Sequence, residues 1–219
     1  GDMNPDEVIA TIDKYFGDWE KSDNLSRPQY APVKNLTSAV DSTVIGLEAE
    51  NVMLGWKANK ASDLQCDTLD VINSILYNGH AGMFDLNLNQ NMKVQYAATG
   101  FENLNDYSEL LLQGGPKEGQ KLEDVRALML EQIEKLKKGE FSDDLIPSVI
   151  NNMKLRYYTS LQNNKDRADK FVDSFINGID WKDQVEKLDR ISKLTKKDIV
   201  DFANKFFGNN YACVYKRIG

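Results

Sequence analysis

The chain has 219 residues, 41% of them hydrophobic and 10% aromatic, which suits one large or two small folded domains and not a disordered segment. With 34 acidic and 27 basic residues the formal charge is −7, so it lacks the basic balance of a nucleic-acid reader or membrane-surface binder, and neither partner is expected. No run reaches the roughly 18–20 apolar residues of a membrane-crossing helix, and no signal-peptide pattern opens the sequence.

Residues 4–17 carry the signals of a helix: Asn4 as cap, Pro5 at the first position and Glu7 three residues after the cap. Met3 and Val8 are spaced for a hydrophobic staple, Val8, Ile9, Ile12 and Phe16 form a stripe, and Gly17 can end it. The opening Gly1-Asp2-Met3 reads as a strand end, and the first helix as the tail of a preceding unit. Residues 18–35, with Pro28 and Pro32, show no periodicity and read as a linker. Residues 42–58 alternate as two strands broken at Glu48–Asn51, with Val52, Leu54 and Trp56 on one face. A helix is predicted over 63–78 with Leu69, Ile72, Ile75 and Leu76 inward, then a hairpin of 92–102 and 107–113.

The clearest helix spans 120–138, where Leu122, Val125, Met129, Ile133 and Leu136 recur at helical spacing and Gly139 follows as a stop. Lys135, Lys137 and Lys138 suit its negative dipole end. Ser142 is expected to cap the next helix, with Phe141 and Ile146 as staple and Val149, Ile150, Met153 and Tyr157 on the same face as Ile146. Further helices are expected near 167–178, 180–191 and 195–207, the last capped by Thr195, and Tyr211–Lys216 reads as a closing strand. The order argues α+β: a mostly antiparallel sheet covered on one face by helices.

The chemistry available is narrow. His80 is the sole histidine and lies in a loop, and Cys66 and Cys213 stand far apart, each read as a small buried residue. A zinc hydrolase site normally draws on two or three histidines with carboxylates, so neither a catalytic residue nor a metal ligand is assigned in this chain. The stretch QGGPKEGQK (113–121) matches no phosphate-binding motif and reads as a strand-to-helix turn. Asp143 and Asp144 flank a helix start, which accounts for them without catalysis.

In order, GDMNPDEVIATIDKYFGDW, NVMLGWKA, LDVINSILYNGHAGMFDLNLNQNMKVQYAATG, LEDVRALMLEQIEKLKKGEFSDDLIPSVINNMK and LTKKDIVDFANKFFGNNYACVYKRIG resemble the domain that follows the catalytic one in insulinase/pitrilysin-type (M16) metallopeptidases. The resemblance implies a tail helix of the preceding domain (1–18), a linker (19–36) and one M16-type non-catalytic domain (37–219), with the α+β fold of M16/LuxS-like metallohydrolases. The family's HxxEH zinc motif is absent, so the cofactor expectation is none in this chain and zinc in the parent's catalytic domain. Family enzymes hold substrate with an arginine and a tyrosine seven positions apart; here Asn87 stands at the arginine position and Tyr96 lies out of register, so the substrate-binding residues stay unknown.

By the same resemblance, the chain alone is expected to be inactive and to help enclose and position peptide substrates for the zinc domain. Expected partners are the other M16 domains of the parent and a peptide substrate, with a homodimer left open. The alternative is a catalytically dead M16-like scaffold or partner-binding module. Family analogy points to a bacterial periplasmic or extracytoplasmic home.

Overall fold

Asn4 starts the first helix, its side chain accepting the Asp6 N–H, and α1 runs Pro5–Phe16. The computed structural model describes residues 2–26, 28 and 30–219. Of the strand end and linker expected over 1–36, residues 1, 27 and 29 lie outside the described residues. The chain divides into two compact units, 1–33 and 34–219. In the first, the stripe of Val8, Ile9, Ile12 and Phe16 is exposed, and among its described residues no regular element follows α1.

The second unit holds five strands: β1 Val40–Gly46, β2 Asn51–Ala58, β3 Tyr96–Glu102, β4 Ser108–Gly115 and β5 Ala212–Ile218. They form one sheet of order β1-β5-β2-β4-β3, in which β1 and β5 run parallel and every other pair antiparallel. Alternation gives the sheet two unlike faces. Val52, Leu54 and Trp56 of β2, Leu110 and Leu112 of β4, and Cys213 and Tyr215 of β5 are buried on one of them. That face meets the stripes of α2 (Gln65–Leu76) and α3 (Leu122–Lys138): Leu69, Ile72, Ile75 and Leu76, then Val125, Met129, Ile133 and Leu136. Each such side chain contributes about 1.5–3 kcal/mol on leaving water. Trp56 fixes the seam, its ring against Tyr211 and Phe207 and its indole N–H donating to the Gly208 carbonyl at 3.1 Å.

Gly139 ends α3 in the left-handed region, at φ 72°, and the next N–H, of Glu140, returns to the Lys135 carbonyl. After it come α4 (Leu145–Ser160), α5 (Asn164–Ile176), α6 (Trp181–Ile191) and α7 (Lys196–Phe206). Thr195 and Asp198 form a reciprocal capping box on α7.

Three local expectations need correction. Ser142 does not cap α4: its hydroxyl accepts the Asp144 N–H, closing a turn, and the helix starts at Leu145. Helix α5 starts at Asn164, earlier than expected, because Asn163 caps it by accepting the Lys165 N–H. A π-helical turn, Asp85–Asn89, occupies a stretch for which no element was predicted.

Candidate functional site

Strand β3 ends the sheet, so one side of it lacks a neighbouring strand. At Ala97 that side is occupied by a side chain: the Ala97 N–H donates to Asn89 Oδ1 at 2.7 Å, and Asn89 Nδ2 donates to the Ala97 carbonyl at 2.8 Å. Since Ala97 turns its polar backbone groups away from β4, alternation turns those of Thr99 and Phe101 the same way. The Thr99 hydroxyl is held by Asn73 of α2, donating to its side-chain oxygen at 2.7 Å.

Asn89 closes the π-helical turn, and the turn is anchored by Asp85. This buried carboxylate accepts the N–H groups of Asn78 (3.0 Å) and Gly82 (2.9 Å), folding the 78–82 loop onto the end of α2. A Cβ on Gly82 would lie 2.8 Å from the Leu76 carbonyl oxygen, so only glycine fits that loop without movement. Next to the loop a cleft of about 390 Å³ opens between α2 and α4, lined among others by Asn73, Tyr77, His80, Thr99, Asn152 and Arg156. His80 lies at the cleft on an exposed loop.

The structure separates the two positions that family analogy brings together. Asn87 lines a neighbouring recess of about 320 Å³ and donates to Gln132 Oε1 of α3 at 2.7 Å. Gln132 is fully buried, and its Nε2 has no partner among the described residues. Tyr96 instead starts β3 on the sheet face opposite α2 and α3, with its ring over Gly115 and its hydroxyl accepting from Gln113 at 3.3 Å. The two side chains have different hydrogen-bond partners. Sequence reasoning missed Asn89 and Asp85, whose partners are backbone groups that no spacing rule marks.

Elsewhere the polar groups brace the fold. Arg126 of α3 donates to Asp41, Tyr211 and Tyr215, each at 2.7 Å, tying β1 and β5 to the helix. Burial opposes its charge, but those three hydrogen bonds outweigh it and its pKa is raised. Lys187 and Arg190 of α6 hold Asp67 and Asp70 of α2. Burial works against the Lys187 charge too, and the two aspartates outweigh it. Cys66 and Cys213 are free and buried, with burial pushing both thiols up. The 113–121 stretch forms the turn from β4 into α3, closed by the Lys117 N–H on Gln120 Oε1. Among the described residues, no cluster of three or more His, Cys, Asp or Glu could hold a metal ion.

The family model described as "Peptidase M16 inactive domain" matches residues 1–153. The chain belongs to this M16 inactive-domain family. It is 24% identical over 213 residues to a protein named zinc protease PqqE from Helicobacter pylori, covering 94% of this chain and 47% of that protein. The fold matches a protease structure from Helicobacter pylori with a TM-score of 0.90 at 22% identity, covering 99% of this chain and 54% of that one. An M16 inactive-domain structure from Pseudomonas fluorescens matches with a TM-score of 0.81 at 12% identity, over 99% of this chain and 52% of the other. The chain thus spans about half the length of these relatives. Its five-stranded sheet with helices is a mixed α/β fold that matches these neighbours.

Proposed function

We propose that residues 37–219 act as a non-catalytic wall of an M16 zinc peptidase, joined by residues 19–36 to a preceding domain whose last helix is α1. In this reading the zinc sits in another domain of the parent, and this domain helps enclose an extended peptide and hold it in position. One observation carries the reading: among the described residues, no strand pairs with the edge of β3 at Thr99 and Phe101, and the strands bury no side chain on the sheet face opposite α2 and α3. An extended peptide can pair with such an edge through backbone hydrogen bonds, which bind without demanding one sequence. Asn89 already fills the Ala97 position, so the register available to a peptide begins at Thr99.

Hydrogen exchange on the chain with a pool of unstructured peptides, with zinc and chelator controls, tests this. The expected result is protection gained at the Thr99 and Phe101 amides, without stoichiometric zinc and without chelator-sensitive cleavage. Unprotected amides would remove the positioning role. Tight zinc with chelator-sensitive cleavage would overturn the non-catalytic assignment.

A further inference from the structure

The cleft between α2 and α4 runs against the charge of the chain as a whole. Among the described residues no aspartate or glutamate lines it, although the sequence holds 34 acidic residues and a formal charge of −7. Leu145, Val149, Asn152 and Arg156 follow one another at helical spacing, so one face of α4 forms the cleft wall and carries Arg156 at its end. The Arg156 side chain is exposed and has no hydrogen bond or ion pair among the described residues. The polar groups around it are mostly unspent donors. The Thr99 hydroxyl occupies Asn73 Oδ1 and leaves the amide nitrogen of Asn73 without a partner. The side chains of Tyr77, His80, Ser148 and Asn152 likewise have none among the described residues.

The carboxylates of the adjoining segments do not offset that charge. Asp85 is buried, its Oδ2 already accepting the N–H groups of Asn78 and Gly82. Glu140 and Asp144 line the separate recess beside Asn87. An unpaired positive charge in a concave, donor-rich site attracts an anion. A planar guanidinium pairs best with a planar carboxylate, through two parallel hydrogen bonds. Thr99 joins this cleft to the sheet edge, because it lines the one and turns its backbone polar groups to the other. In an extended chain paired along that edge, alternate side chains point towards the helix layer, where the cleft lies. We propose that the cleft is a carboxylate subsite for a peptide bound along β3, with Arg156 pairing its acidic side chain or its terminal carboxylate. This rests on the edge-pairing reading given above and adds to it a preference for acidic peptides.

Fluorescence anisotropy on the 219-residue chain at low salt, with matched unstructured peptides, tests it. One pair of peptides differs only in a free or an amidated C-terminus, the other only in an internal Glu or Gln. Binding about tenfold tighter is expected for the carboxylate form in at least one pair, and that pair identifies the source of the carboxylate. Arg156→Gln should abolish the preference while leaving the amide forms and thermal unfolding unchanged, since its exposed side chain packs no core. Lys154→Gln makes the same charge change on α4 outside the cleft lining and should keep the preference. Equal affinities within both pairs, or a preference lost equally in Lys154→Gln, would overturn the proposal. Exchange protection at the Thr99 and Phe101 amides separates the two readings. Protection without a carboxylate preference removes the subsite and leaves edge pairing standing. An Arg156-dependent preference without protection supports the carboxylate site and removes edge pairing, and no binding by any peptide overturns both.

Discussion

Asn89 pairs with Ala97 as a neighbouring strand residue would, giving one hydrogen bond to its carbonyl and taking one from its N–H. A single amide thus caps one end of an otherwise open sheet edge. Asn89→Ala should cost about 1–3 kcal/mol, since it strands two backbone groups that are only partly reached by water. Chemical denaturation measures the loss, and the Ala97 amide should become one of the fastest to exchange in β3. Asn89→Asp, which keeps the acceptor and loses the donor, should fall between the two. Unchanged stability in Asn89→Ala would mean that water replaces the amide at no cost.

Arg126 reaches three oxygens from two nitrogens of one planar group, which a lysine cannot reproduce. Arg126→Lys keeps the charge but should lose about 1–2 kcal/mol in urea denaturation. A loss confined to Arg126→Met would show that charge alone, not the fork, secures β1.

The two buried thiols make the protein sensitive to alkali. Burial raises the pKa of both Cys66 and Cys213 in the folded state, while in the unfolded chain they ionise near the ordinary value of about 8.5. Above that pH the unfolded state binds fewer protons than the native one, so stability falls as pH rises towards the folded values. Replacing both cysteines with alanine should flatten that slope. A slope identical in the double variant would assign the alkaline loss to other groups.

Gly82→Ala should destabilise by about 1–3 kcal/mol, because the new methyl meets the Leu76 carbonyl oxygen and the Tyr77 Cα at 2.8 Å. The loop carries Asp85's two N–H partners, so its displacement should also loosen the π-helical turn. Loss of exchange protection at Asn78 together with Gly82 would report that coupling; a stable variant with an unmoved loop would refute it.

Much of the fold was legible from periodicity. The alternation of Val52, Leu54 and Trp56 and the helical spacing from Leu122 to Leu136 mark core faces, and both runs are buried where the pattern places them. Thr195 was legible as a cap because its partner Asp198 lies within one helical turn. Features that depend on distant partners were not. Asp85 is buried to hold a loop backbone, and Asn89 pairs with a strand eight residues on, neither of which a helix or strand period encodes. Ser142 had the residue type of a cap, but the turn it closes uses that hydroxyl first. At the candidate site, Asn87 could be picked out from the sequence, whereas its bond to Gln132 of α3 could not.

Strands β1 and β2 are neighbours along the chain yet not in the sheet, for β5 lies between them. The order of synthesis therefore runs against the order of assembly. While a ribosome is still making the helices, residues 40–46 and 51–58 are both available with their intended neighbour missing, and a simple hairpin between them is the nearest wrong pairing. The last strand must enter a slot with one wall antiparallel and the other parallel to it, across a separation of some 170 residues in the case of β1. Such long-range closure is slow. The time spent with that slot empty, more than the strength of the finished core, sets how exposed the nascent chain is to aggregation and to chaperones.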